Sequence, residues 1–151
     1  MVSYGGHTMP STMLGFPPRS ILPVCSATPA LLVVGEADGV IAASADRYAD
    51  AESSAHNPVA MTFDLGISRA SGDCYELVLK GGTHTSVQFP EDATTARGFL
   101  DPPGTAEPAV RSIFSALSIA FLDLVVRTDQ DAAGRLSNLL LADQILSARC
   151  K

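Results

Sequence analysis

Basic residues are scarce. Ten Lys and Arg stand against sixteen Asp and Glu, a net charge of −6 over 151 residues, and no cationic stripe runs along any stretch. Nucleic acids are held through cations clustered on the phosphates, so no nucleic-acid partner is expected. Long apolar runs are scarce too. No stretch reaches the roughly 18 uninterrupted apolar residues of a spanning helix, so no membrane span is expected. The first residues lack a basic segment followed by an apolar one, and no signal peptide is expected on this chain. Cysteine is rare: Cys25, Cys74 and Cys150 form no CxxC pair and no metal-ligand spacing with histidine. A structural zinc centre is therefore not expected. Free thiols are, with Cys25 and Cys74 semi-buried; one disulfide plus one free thiol is the alternative.

What is present is a globular composition, 46% apolar, in a chain long enough for one domain with a core. The most organised stretch is residues 28–41, TPALLVVGEADGVI. Its apolar run, 30–34, shows no alternation, as in a strand covered on both faces of a parallel sheet. Residues 75–79 read as a second buried strand, and residues 1–4 as the end of another. Between them, 9–29 holds Pro10, Pro17, Pro18, Pro23 and Pro29. Each proline removes a donor and clashes with a helical turn, so this is a long loop with at most a turn near 20–22. Residues 42–54 are alanine-rich behind Ser44, a helix N-cap type, and predict a helix broken at Asn57-Pro58. Residues 59–65 read as a short strand or an irregular crossing segment. Residues 91–108 are mostly loop, with a helical turn near 93–99.

The second half is helical. Val110, Ile113, Phe114, Leu117, Phe121, Leu124 and Val125 mark one wide apolar helix face, with Pro108 in the first turn and a stop near 127–128. Asp129 or Asp131 caps a last helix that buries Leu136, Leu139, Leu140 and Leu146. Strands alternating with helices predict a parallel α/β sheet.

Two residues at strand ends carry the chemistry. Asp38 follows the first buried strand within GEADG, and such sheets place catalytic groups at the carboxyl ends of their strands. It is a candidate for orienting a histidine and stabilising its imidazolium; a turn-capping carboxylate is the alternative. Glu36 is a weaker candidate for the same role. His84 lies in GGTHTS after the second strand, placed for general-base work. His7, after Gly5-Gly6, lines the same sheet end, and His56 reads as a turn residue. A serine nucleophile is harder to find. The elbow pattern G-x-S-x-G does not occur; Ser3 in MVSYGG comes nearest, but Met1 stands where glycine is needed and prolines follow where a helix should. Ser44 is a helix cap, Ser86 belongs to the loop of His84, and no cysteine is placed as a nucleophile.

Residues 1–127 resemble the C-terminal half of an α/β-hydrolase of the dienelactone hydrolase, chlorophyllase and bacterial polyester-hydrolase kind. TPALLVVGEADGVI, YELVLKGGTHTS and FSALSIAFLDLVVR carry the resemblance, with acid before histidine in chain order. It implies an α/β fold of about three parallel strands with flanking helices, in one partial domain: strands and a long helix over 1–127, a terminal helix over 128–151. It implies ester hydrolysis by a Ser-His-Asp triad without a cofactor, Asp38 being the acid and His84 the base, on a small-molecule ester in the intact parent. The family's early strands, oxyanion-hole loop and nucleophile elbow have no counterpart here, so the chain by itself is expected to be inactive. The alternative is a non-catalytic α/β module that binds through 9–29 and 91–108. Half a sheet also leaves an open edge, and self-association through it is a third alternative.

Overall fold

The computed structural model describes residues 1–24, 27–43, 57–90, 100–101 and 107–151. A four-stranded sheet runs β1 (Val2–Tyr4), β2 (Ala30–Gly35), β3 (Cys74–Leu79) and β4 (Ile145–Cys150), in that spatial order. β1, β2 and β3 pair in parallel, and β4 adds antiparallel to β3. The helices are α1 (Gly39–Ala42), α2 (Asn57–Met61), α3 (Glu107–Val126) and α4 (Gln130–Leu139). The class is α/β, but the sheet is mixed and four-stranded where about three parallel strands were expected.

Every residue of β2 is buried, and the reason is visible on both faces. Leu31 and Val33 pack with Leu77 and Leu79 against Val110, Leu117 and Phe121 of α3. Ala30, Leu32 and Val34 pack with Val78 against Val59, Phe63 and Ile67. Side chains alternate across a strand, so a strand sandwiched between two cores reads as an unbroken apolar run. Val59, Phe63 and Ile67 also correct the expectation of a strand or irregular segment over 59–65. Four-residue spacing belongs to one side of a helix, and the chain forms α2 followed by a π-helical turn, Thr62–Gly66, closed by Ile67 N–H on Thr62 O at 3.0 Å. Pro58 lies in the first turn of α2, where its missing donor costs nothing.

α3 covers one face of the sheet, as its apolar stripe predicts. Its segment 108–126 has a mean hydropathy of 1.9, which among the described residues makes it the one helix long and apolar enough, by length and composition, to cross a membrane, although no uninterrupted apolar run marks it in the sequence. In this fold its inner side is the core, while Ile119, Leu122 and Val126 face outward. Thr128, at φ 54°, turns the chain, and the Asp129 side chain caps α4 by accepting Asp131 N–H at 2.9 Å.

The expected terminal helix over 128–151 is cut short. α4 ends at Leu139, and the chain returns as β4, leaving Leu146 exposed. Leu136 is buried and Leu139 and Leu140 are partly so, as expected. A buried charge on β3 gives the reason for the strand. Glu76 is 2% exposed, and a buried carboxylate needs a partner. Pairing puts Arg149 directly opposite: its Nε donates to Glu76 Oε2 at 2.8 Å and its Nη1 to Asp64 at 3.0 Å, with the guanidinium over the Phe63 ring. Cys74 is buried and Cys150 exposed, both as free thiols; Cys25 and the helix expected over 42–54 lie outside the described residues, apart from α1 ending at Ala42. The turn expected at 93–99 also lies outside them. In the loop after β1 the turns fall at Thr12–Leu14 and at Pro17–Ser20.

Removing the cation from Glu76 should be expensive. Arg149→Met is expected to lower unfolding free energy by about 3 kcal/mol, because it strands a buried charge. Arg127→Ala, which breaks an exposed pair with Asp123, is expected to change it by less than about 1 kcal/mol. Urea unfolding of the two variants beside the parent checks the contrast.

Candidate active site

The carboxyl ends of β2 and β3 lie side by side, and the turns that follow them are held in contact by glycine. A Cβ at Gly35 would sit 2.2 Å from Gly82 O and 2.4 Å from Gly82 C, both backbone atoms. Only a residue without a side chain permits that approach. Ala37 N–H then donates to Gly82 O at 2.8 Å, and Glu36 N–H to Leu79 O at 2.9 Å. Glu36, the weaker acid candidate, spends its carboxylate on Gly81 N–H at 2.9 Å and stiffens the histidine turn.

Asp38 is completely buried at the start of α1. Its two oxygens do different work. Oδ1 accepts Ile41 N–H at 2.8 Å, capping the helix; Oδ2 meets His84 Nδ1 at 2.9 Å. The cap and the histidine contact, alternatives in the sequence, are thus both made by one side chain. The helix bond fixes the carboxyl plane, and the second oxygen is aimed at the ring. A histidine that donates from Nδ1 to a carboxylate keeps its lone pair on Nε2, the tautomer of a general base. The His84 side chain is 33% exposed, so the ring is open to solvent in part.

The loop around His84 is built from short-range bonds. Thr83 N–H donates to Ser86 Oγ at 2.8 Å, and the two hydroxyls lie 2.9 Å apart. Ser86 is therefore buried scaffolding, consistent with its reading as a loop residue. Tyr4 Oη donates to Thr83 O at 2.7 Å and ties the end of β1 to the same loop. Gly5, at φ +66°, follows; a Cβ there would stand 3.3 Å from both Asp38 Oδ2 and His84 Nδ1. Tyr4 and Gly5 were not singled out in the sequence as site residues. The signal for them is weak: a Gly pair at the end of a strand, ahead of a histidine.

His7 reaches the same neighbourhood. Burial lowers its pKa from the ordinary 6.5, while the nearby Asp38 charge opposes the shift. Met9 N–H approaches His7 Nδ1 at 3.3 Å, which puts the proton of the neutral ring on Nε2. Ser3 is placed differently. It lies within β1, its Oγ packed on Gly6, and the chain after β1 enters no helix until the short turn at Thr12–Leu14. A nucleophile elbow needs a serine on a strand-to-helix turn, and Ser3 does not occupy one. His56 and Ser44 lie outside the described residues.

Among the described residues no cluster of His, Cys, Asp and Glu has a metal-binding arrangement. No protein-family model matches the chain, and no curated protein matches it either. What the pair can do follows from its geometry: a buried, doubly bonded carboxyl group orienting a half-exposed imidazole.

Two measurements probe this construction. Gly35→Ala is expected to push the β2 and β3 turns apart, lowering stability by about 1–3 kcal/mol through backbone overlap; calorimetry reads the loss, and an unchanged melting temperature contradicts the close contact. The second is a pH series. A His7 pKa lowered by folding means that the unfolded chain binds the proton more readily than the folded one. Stability should then fall as pH drops below the ordinary 6.5 and level off below the depressed folded value. His7→Gln removes that contribution, so the urea midpoint of the parent should decline relative to the variant between pH 7.5 and 5.5, on the order of the window spanned by an ordinary histidine.

Proposed function

We propose that Asp38 and His84 are the acid and the base of a Ser-His-Asp centre that hydrolyses carboxylic esters in the intact parent protein. The observation that carries this reading is the 2.9 Å contact between Asp38 Oδ2 and His84 Nδ1, made by a fully buried acid at the carboxyl ends of neighbouring parallel strands. In such a centre the imidazole takes the proton of the attacking serine and returns it to the leaving alkoxide, while the acid holds the tautomer and stabilises the imidazolium. The chemistry requires no cofactor. The resemblance to the C-terminal half of an α/β-hydrolase supports the same assignment through the acid-then-histidine order.

The nucleophile in this reading comes from neither Ser3 nor Ser86. β1 forms one edge of the described sheet. A strand added in parallel beyond it would end over the same loops, and its following turn is where the reading places the serine. The 151-residue chain alone is then expected to leave esters untouched.

The test uses the longest open frame that encodes this chain. Turnover of p-nitrophenyl butyrate and labelling by a fluorophosphonate are both expected. His84→Ala and Asp38→Asn should each lower kcat by about 10⁴-fold. Turnover indifferent to both substitutions overturns the reading; a protein that neither reacts with the probe nor cleaves the ester overturns it in favour of a non-catalytic module. Ester cleavage by the 151-residue chain that vanishes in His84→Ala would instead put the nucleophile inside it.

A further inference from the structure

Asp101 touches both halves of the candidate pair without belonging to it. Its Oδ1 accepts Gly39 N–H at 3.0 Å, from the residue that follows Asp38. Its Oδ2 accepts Thr85 N–H and Thr85 Oγ1–H, each at 3.2 Å, from the residue that follows His84. One carboxylate therefore spans the acid turn and the histidine turn at equivalent positions. The two turns are also joined before the pair, by Ala37 N–H on Gly82 O and by the Glu36 carboxylate on Gly81 N–H; Asp101 joins them again at the residues that follow the pair. Hydrogen bonds to a carboxylate are the stronger kind, and these bridge two segments that are distant in sequence.

The chain makes room for this bridge. A Cβ at Gly39 would lie 1.9 Å from Leu100 O and 2.5 Å from Leu100 C, so the 100–101 backbone rests directly on Gly39. That contact and the two arms of the carboxylate fix Asp101 from three directions.

We propose that Asp101 is a positioning residue: it sets the separation of the two turns and thereby holds His84 Nδ1 on Asp38 Oδ2. It does not touch the reacting atoms. Without it the two turns remain tethered at Gly35 and Gly82, but the ring of His84 loses the constraint on the residue behind it. Its consequence for catalysis rests on the acid–base reading above; its effect on the ring does not, and the two can be tested apart.

The test is proton and nitrogen NMR of the 151-residue chain labelled in its histidine rings. The Nδ1–H signal of His84, assigned by its loss in His84→Gln, is expected far downfield and slow to exchange with water. In Asp101→Ala that proton should exchange at least about tenfold faster, the factor set by one net hydrogen bond, and the ring nitrogens should move toward a mixture of tautomers. Thr85→Val, which removes the hydroxyl arm alone, should give a smaller change in the same direction. It is also the variant to read if Asp101→Ala does not fold. A purely structural role would lower the melting temperature and leave the ring signals where they are. Unchanged exchange and tautomer in a folded Asp101→Ala, or in Thr85→Val where Asp101→Ala does not fold, overturns the proposal. Failure of the ester assay would leave this result untouched, because no turnover enters it.

Discussion

A carboxyl group with no access to water must be satisfied by the protein, and at Asp38 that requirement organises the carboxyl end of the sheet. Burial without partners costs several kcal/mol. Here one oxygen is met by the first turn of α1 and the other by His84. Each partner comes with a structural condition. The helix must begin at Gly39, which fixes the backbone after the acid. The imidazole must arrive from β3, so the β3 turn must lie against the β2 turn. Glycine at 35 and 82 meets that second condition by letting the two turns approach closer than side chains allow, and Gly5 leaves room for the side chains of the pair.

The rigidity of the frame comes from further inside. β2 is covered on both faces, by α3 on one side and by α2 with its π-helical turn on the other. Cores at native density do not deform continuously, so the strand ends are fixed points. The turns that leave them need few extra bonds to become precise. This division of labour, packed strands for position and short polar contacts for orientation, is what a preorganised site requires.

The sequence showed the parts whose physics is local. The apolar run at 30–34, the stripe from Val110 to Val125 and the Asp129 cap each depend on residues near one another in the chain, and the structure has all three. Asp38 and His84 could be picked out because strand ends concentrate chemistry, and the structure brings the two together. What escaped depends on contacts between distant segments. Residues 145–150 carry no strong helix or strand signal; they become β4 because Glu76, 73 residues earlier, needs Arg149. Residues 59–65 do not read as a helix in the sequence, because the four-residue spacing of Val59, Phe63 and Ile67 is too short to register unless the core it fills is known. Asp101 gave no signal at all, since nothing in LDPPG points to a turn 16 residues away.

Among the described residues, Glu76 on β3 and Asp38 after β2 are buried carboxylates, and they are paired in different ways. Glu76 and Asp38 are similarly inaccessible, at 2% and 0% exposure. Glu76 is paired with a guanidinium, which stays protonated at any pH the fold survives and so can only neutralise. Asp38 is paired with an imidazole, the one side chain whose ordinary titration falls near neutrality. Pairing with a guanidinium neutralises Glu76 and does no more, whereas the pairing at Asp38 also holds an imidazole, 33% exposed, in a fixed orientation at the carboxyl end of the sheet. That oriented ring is the feature on which the proposed acid–base reading rests.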